Sequence, residues 1–198
     1  EILLFCNLLG WVVMQAQVET KSIEVVDKIL WLASKPKRVK IAVGGRGSAK
    51  STGIGDIMLG YCAAGERICA AREFMNSIDD SVHESLKSEI ERLGLDSQFT
   101  VKATEIHSKA GGEIFYKGLA RNITSLKSLA GVRRLWLEEG ESVSDKSLKV
   151  LTPSIRSSAK DNITEITEPP EIWISMNRGS MKDAVAKKYL SRAEKELK

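Results

Sequence analysis

One stretch near the amino terminus predicts both the fold and the kind of site that the chain carries. It reads Val39-Lys40-Ile41-Ala42-Val43-Gly44-Gly45-Arg46-Gly47-Ser48-Ala49-Lys50-Ser51-Thr52. A short apolar run, a glycine-rich turn and a Lys-Ser-Thr sequence that opens a helix are typical of a phosphate-binding loop. Glycines let backbone N–H groups converge on a phosphate, and the amino end of the following helix adds its positive dipole. The stretch therefore predicts a nucleotide site between a strand and a helix.

Each part of this loop has an expected role in binding ATP. Lys50 supplies an ammonium for the β- and γ-phosphates, and Ser51 supplies a hydroxyl ligand for Mg²⁺. Arg46 fits either of two roles, a cation that moves toward the γ-phosphate during transfer or a solvated loop residue. Ala49 stands where the consensus has its last glycine, and a negative φ at this residue would make it acceptable. The residues expected to bind the nucleotide are Gly44, Gly45, Arg46, Gly47, Ser48, Ala49, Lys50, Ser51 and Thr52.

Strand and helix patterns alternate along the rest of the chain. Apolar runs and alternation predict strands at residues 38–43, 67–72, 99–102, 105–108, 113–117, 134–138 and 171–176. Helical spacing predicts helices at residues 18–34, 51–63, 77–93, 145–155 and 181–197. Residues 105–117 form a hairpin pattern, and residues 122–129 and 157–170 are polar connections. Such alternation predicts an α/β fold of the P-loop NTPase (RecA/ASCE-like) type, a mostly parallel sheet with helices on both faces.

Length, charge and cysteine content narrow the class of protein. A chain of 198 residues is long enough for one domain with a core, and 42% apolar content is ordinary for a globular protein. The net charge of +4 permits binding to a polyanion without requiring it. Cys6, Cys62 and Cys69 are odd in number and lack CxxC spacing, which suits a reducing compartment and argues against a disulfide scaffold or a zinc site.

The amino-terminal segment has two interpretations. The chain begins at Glu1 rather than methionine, as in a fragment, a trimmed chain or a partial reading frame. Residues 2–13 are apolar but too short to span a bilayer as a helix, and they lack a basic leader. Either Met14 is the natural start and residues 1–13 are extraneous, or this stretch is a packed terminal helix. We expect residues 1–34 to form an amino-terminal segment and residues 35–198 a P-loop domain.

A second stretch, Arg134-Leu135-Trp136-Leu137-Glu138-Glu139, is an apolar strand that ends in carboxylates. Such strand ends face the crevice where open α/β sheets bind ligands. Glu138 is expected to hold the Mg²⁺ shell, and Glu139 to act as the general base that orients the attacking water. Taken singly, the loop fits a glycine-rich turn with an incidental lysine, and the acidic strand fits a solvated turn that Glu141 continues. Together they favour an ATPase site.

A third buried strand ends at Asn177. Its side chain either hydrogen-bonds the γ-phosphate or its water, and so distinguishes ATP from ADP, or is a plain turn asparagine. Arg72 closes the second strand and also points at the crevice, but the sequence assigns it no role.

Taken together, these pieces resemble the ATPase domain of the large terminase subunit, the DNA-packaging motor of tailed bacteriophages. The resemblance spans about residues 38–180, with the matching stretches in the order of the family. These stretches are Gly44 to Ser51, Cys69 to Glu73 with Asn76 to Ile78 and Ser81-Val82, Ser128-Leu129-Ala130-Gly131, Leu135 to Glu139, and Ile172 to Asn177.

The resemblance implies an ATP-driven translocase that pumps double-stranded DNA into a procapsid. It also implies a ring homo-oligomer docked on a portal protein, a small terminase subunit as partner, location in the host cytoplasm and no membrane. By position, Lys50 and Ser51 bind phosphate and Mg²⁺, and Arg46 matches the loop arginine. Glu138 matches the metal-side acid, Glu139 the catalytic glutamate, and Asn177 the coupling motif.

Several departures from the family pattern stand out. Ala49 replaces a glycine, Arg178 follows Asn177 where the family usually has proline, and the loop at residues 157–170 is longer than usual. Gln15 and Gln17 are weak candidates for the adenine-contacting motif. The chain stops near where the metal-dependent nuclease domain of the family would begin. We therefore expect ATPase activity and no DNA cleavage from this piece.

Three other function classes remain open at this stage: a helicase-like motor, a small-molecule kinase and a nucleotide-binding subunit that does not hydrolyse. A helicase core needs a second RecA-like domain, and a kinase needs an arginine-rich lid, which the hairpin at residues 105–117 does not supply. A basic face on the last helix is either a DNA-contacting surface or a solvated helix face. Its residues are Lys182, Lys187, Lys188, Arg192, Lys195 and Lys198.

Overall fold

The strand, loop and helix predicted around Lys50 are present in the computed structural model, which describes residues 27–74, 82–120, 129, 131–155 and 170–191. The elements in chain order are α1 (Asp27–Ser34), β1 (Val39–Gly44), α2 (Lys50–Ala63), β2 (Arg67–Arg72), α3 (Glu84–Arg92), β3 (Phe99–Val101), β4 (Glu105–Ser108), β5 (Glu113–Gly118), β6 (Arg134–Leu137), a 3₁₀ turn (Gly140–Ser142), α4 (Asp145–Ser154), β7 (Glu171–Asn177) and a π-helix (Ala186–Leu190). None of the helices in these ranges is long and apolar enough to cross a membrane.

The seven strands form one sheet in the order β1-β7-β6-β2-β5-β4-β3. Pairing is parallel from β1 through to β5, and antiparallel from β5 through β4 to β3. The predicted α/β fold with a mostly parallel sheet is confirmed, as is the hairpin at residues 105–117. Because parallel strands end at the same edge of a sheet, the ends of β1, β7, β6 and β2 lie side by side there.

Apolar side chains cover both faces of the sheet, as the continuous apolar runs predict for buried parallel strands. On one face, Trp136 and Trp173 pack with residues of α1, α2 and α3. On the other face, Leu135 and Leu137 pack with α4 and with Val185 near the π-helix. Successive residues of β6 thus pack into the cores on opposite faces of the sheet. A shift of one residue in register would therefore move each side chain of β6 to the opposite face.

The last helix begins later than the sequence predicts. Residues 181–183 form a turn, because the Ser180 side chain accepts a hydrogen bond from the Lys182 amide at 3.1 Å and the Ser180 carbonyl accepts one from Asp183 at 3.0 Å. The first helical bond runs from the Lys187 amide to the Asp183 carbonyl. Several predicted features lie outside the described residues: the helix at 18–26, its Gln15 and Gln17, the helix start at 77–81, the connections at 122–128 and 157–169, and the helix end at 192–197.

A glutamate at the end of β2 joins the sheet to α4. The carboxylate of Glu73 accepts hydrogen bonds from the Ser144 amide at 3.2 Å and from the Ser147 hydroxyl at 3.0 Å. The Ser144 side chain in turn accepts from the Ser147 amide, as expected of an N-cap. A buried negative charge at a helix amino end is favoured by the helix dipole. At the end of β2, Glu73 is therefore held by the start of α4, whereas Arg72 makes its contacts elsewhere in the fold.

Asp56 is a buried acid in α2 without full compensation. It is 4% exposed, and the nearest guanidinium nitrogen, of Arg92, lies 3.7 Å from its Oδ2. Burial, and after it the neighbouring Glu89 carboxylate, raise the pKa of Asp56 to about 6 against the opposing effect of the Arg92 guanidinium. Because the folded protein binds this proton more tightly than the unfolded chain, the free energy of unfolding should fall as the pH rises toward 6.

We predict that Asp56→Asn stabilises the protein at pH 7 by about 2 kcal/mol, since the substitution removes a carboxylate that must ionise while buried. At pH 4 the difference between variant and parent should nearly vanish, because Asp56 then carries a proton in the folded state. Urea unfolding at pH 4, 5.5 and 7 measures this, with the exposed Asp96→Asn as control. A constant difference across that pH range would contradict the prediction.

Candidate nucleotide site

The carboxyl ends of β1, β6 and β7 surround a cavity of about 320 Å³. Its lining residues are Arg46, Gly47, Ser48, Ala49, Lys50, Ser51, Thr52, Glu138, Glu139, Glu141, Ser175, Met176 and Asn177. The structure thus brings the loop, the acidic strand end and Asn177 to one place. Of the residues predicted from sequence, Gly44 and Gly45 are not in the lining, but their carbonyl oxygens accept hydrogen bonds from Lys50.

The ammonium of Lys50 lies at the mouth of the loop. Its Nζ is 3.1 Å from the Gly44 carbonyl oxygen, 2.7 Å from that of Gly45 and 2.9 Å from Ser48 Oγ. A fourth acceptor, Asn177 Oδ1, lies 3.3 Å away on the end of β7. An ammonium has three donors, so these four acceptors saturate it. The positive charge therefore stands at the place where the loop would receive a phosphate.

The hydroxyl of Ser51 and the carboxylate of Glu138 are in direct contact. Ser51 Oγ donates to Glu138 Oε1 at 3.1 Å, although the two residues are far apart in sequence. Hydroxyl, carboxylate and water oxygens are the ligands that Mg²⁺ prefers. The donor set at the inner wall of the cavity therefore fits the metal that the sequence predicts.

Arg72 bridges the two predicted acids from the end of β2. Its Nε donates to Glu138 Oε2 at 2.5 Å, and its Nη2 lies 3.1 Å from Glu139 Oε1. Burial raises the pKa of Glu138, and the Arg72 guanidinium is the largest opposing influence. Sequence reasoning gave Arg72 no role. The missing information was strand order, because only the pairing of β2 with β6 places the Arg72 side chain beside residues 138 and 139.

Glu141 is a second residue that the sequence did not single out. Its Oε2 accepts a hydrogen bond from the backbone amide of Asn177 at 3.0 Å, and its Oε1 accepts one from Asn177 Nδ2 at 2.8 Å. In the alternative interpretation of the acidic strand, this acid continues a solvated turn. Instead, its carboxylate contacts the end of β7, and both residues line the cavity.

One family model and several solved structures match this chain. No curated protein sequence matches the chain. The family model described as phage terminase large subunit matches residues 36–198. The chain belongs to that family. This confirms the resemblance stated from the sequence motifs.

Solved terminase structures share the fold. The large terminase of a thermophilic bacteriophage has a TM-score of 0.63 and 13% identity, over 88% of this chain and 44% of that one. The complex of that thermophilic-phage terminase with ADP has a TM-score of 0.57 and 11% identity, over 83% and 39%. The large terminase of bacteriophage HK97 has a TM-score of 0.60 and 13% identity, over 81% and 33%. The present terminase chain thus spans less than half the length of these relatives.

Two residues of the terminase site adopt left-handed backbone geometry. Ala49 has φ 56° and Glu139 has φ 52°, and they are the two non-glycine residues with positive φ in the described ranges. Ala49 therefore does not meet the condition of negative φ under which alanine would replace the consensus glycine without strain, because the chain turns at this residue to enter α2. Left-handed geometry costs a residue with a Cβ about 1 kcal/mol more than glycine. Backbone strain is therefore present at two residues that line the cavity, Ala49 in the loop and Glu139 after β6.

We predict that Ala49→Gly raises the free energy of unfolding by about 1 kcal/mol, because glycine adopts positive φ without steric cost. Urea unfolding measures the change. Ala64→Gly is the control, since Ala64 is exposed with φ −81° and glycine should there be neutral or slightly destabilising. Equal effects of the two substitutions would show that Ala49 carries no strain.

We predict that Arg72→Met destabilises the terminase domain by about 3 kcal/mol or more, because it leaves the buried Glu138 carboxylate without its cation. Arg67→Met is the matched control, since it removes an ion pair to Glu113 in which the arginine side chain is 40% exposed. The control should cost about 1 kcal/mol or less. Equal losses of unfolding free energy in the two variants would rule out a special electrostatic demand at Glu138.

Proposed function

We propose that this chain is the ATPase motor domain of a terminase large subunit, with residues 35–198 as the P-loop domain. It would hydrolyse ATP to ADP and phosphate and use the energy to move double-stranded DNA into a procapsid. The observation that carries this proposal is the contact of Ser51 with Glu138, which joins the phosphate loop to the acidic strand at one cavity. Nucleotide binding is further supported by the ADP complex of the thermophilic-phage large terminase, whose fold this chain shares.

The binding step uses the loop from Gly44 to Thr52. Its backbone amides and the start of α2 favour the phosphates of ATP. Lys50 exchanges its loop carbonyl acceptors for β- and γ-phosphate oxygens, which keeps its charge satisfied throughout. Ser51 and Glu138 would hold Mg²⁺, which when bound neutralises phosphate charge. Their hydroxyl and carboxylate are in direct hydrogen-bond contact.

The hydrolytic step falls to Glu139. Its side chain is 45% exposed and lines the cavity, so it can reach a water there. It accepts a proton from the attacking water as that oxygen bonds to the γ-phosphorus and ADP leaves. Arg46, exposed on the loop, supplies a second cation for the charge that develops on the γ-phosphoryl group.

The partners belong to the same proposal. A packaging ATPase of this family would assemble as a ring with further copies of itself, on a portal protein and with a small terminase subunit, in the host cytoplasm. Lys182, in the turn before the last helix, and Lys187 and Lys188 on that helix are exposed and remain candidates for DNA phosphate contact. DNA-stimulated ATP turnover without strand release would separate a packaging motor from a helicase.

We predict that Glu139→Gln lowers kcat for ATP hydrolysis by about 10²-fold or more while ATP affinity stays within about threefold. Lys50→Ala should instead abolish ATP binding, because it removes the cation at the loop. Phosphate release and calorimetric titration measure the two effects, with the exposed Lys87→Ala and Glu91→Gln as controls. Equal turnover of Glu139→Gln and parent would remove Glu139 from the mechanism.

A further inference from the structure

The side-chain amide of Asn177 has only one orientation that its neighbours accept. Its nitrogen is 2.8 Å from the Glu141 carboxylate, and its oxygen is 3.3 Å from the Lys50 ammonium. A carboxylate only accepts hydrogen bonds and an ammonium only donates them. The opposite orientation would set oxygen against oxygen and nitrogen against nitrogen. Glu141 and Lys50 together therefore determine the orientation of the Asn177 amide, with its oxygen toward the cavity.

Of the two partners, Glu141 is the one expected to stay in place when a nucleotide binds. Lys50 is expected to turn toward the phosphates, whereas Glu141 holds Asn177 by two hydrogen bonds, one of them to the backbone amide. The bond to the backbone anchors the carboxylate, and the bond to Nδ2 then sets the amide. A charge-assisted hydrogen bond is about twice as strong as a neutral one, which favours this arrangement.

The turn that carries Glu141 is packed tightly against β7. A Cβ added at Gly140 would lie 2.5 Å from Ile174 Cγ2, so glycine alone allows the turn to approach the strand. The same turn begins at Glu139, whose carbonyl accepts a hydrogen bond from the Ser142 amide at 2.9 Å. The expected general base and the residue that orients Asn177 thus belong to one short, closely packed segment.

We propose that Glu141 is a positioning residue for hydrolysis, which fixes the Asn177 amide with its oxygen toward Lys50 and the cavity. When the ammonium moves to the phosphates, this oxygen is left to accept a hydrogen bond from the attacking water. An oxygen in this position repels phosphate oxygens, so Asn177 favours the water over the γ-phosphate. This inference rests on the proposed ATPase function.

The first test needs no turnover. In the nucleotide-free protein, the side-chain amide of Asn177 is assigned in ¹⁵N–¹H spectra by its absence from Asn177→Ala. Glu141→Gln should shift this resonance and speed its exchange with water, because a neutral amide partner replaces the carboxylate. Glu91→Gln, the same change at an exposed residue of α3, should leave it unchanged. An unchanged resonance in Glu141→Gln would overturn the inference.

The second test is a double-mutant cycle on ATP turnover, with ATP-binding stoichiometry used to count active molecules. Glu141→Gln should lower kcat by roughly tenfold to a hundredfold, with KM within about threefold. In an Asn177→Ala background it should lower kcat by less than about twofold, because there is no amide left to orient. Equal losses in both backgrounds would show a merely structural role and overturn the inference.

These outcomes separate the inference from the proposed function. A parent protein that hydrolyses no ATP, with or without DNA, overturns the proposed function and with it the catalytic part of this inference, whatever the spectra show. If the parent protein hydrolyses ATP and the Glu141→Gln variant has the same kcat, only the inference is overturned. Thermal unfolding of each variant identifies any loss of kcat that comes from unfolding.

Discussion

The buried carboxylate of Glu138 is the constraint on which the rest of the site depends. A carboxylate this deeply buried is costly unless it is paired and hydrogen-bonded. Here one oxygen accepts from Ser51 at the start of α2, and the other accepts from Arg72 at the end of β2. The Glu138 side chain, directly after β6, thereby joins the end of the phosphate loop to β2. These two hydrogen bonds hold the start of α2 and the ends of β6 and β2 together at the cavity.

Much of this fold could be predicted from sequence because the signals are local. The glycine-rich loop, the apolar strands and the hairpin at residues 105–117 each depend on near neighbours in the chain, and the strand bounds differ from prediction by at most one residue. Strands that are buried on both faces have continuous apolar sequences, and these sequences allowed the parallel sheet to be predicted. The start of the last helix was missed because the Ser180 turn competes with helix there.

The remaining features of the site depend on strand order, which periodicity does not contain. Arg72 meets Glu138 only because β2 pairs with β6, and Glu141 meets Asn177 only because the turn after β6 packs on β7. The left-handed geometry of Ala49 could not be predicted from sequence for a different reason. Alanine carries no conformational signature, so its φ follows from the path of the loop rather than from the residue. Functional sites are where local preference and global structure are expected to disagree.

The saturated state of Lys50 has a consequence for which anions the loop can hold. Any ligand must compete with two carbonyl oxygens, one hydroxyl and one amide oxygen for the same ammonium. A singly charged ion such as chloride offers too little in exchange, whereas a polyphosphate offers several charged oxygens in place of neutral acceptors. Competition for this one ammonium therefore favours highly charged ligands, whatever base or sugar they carry.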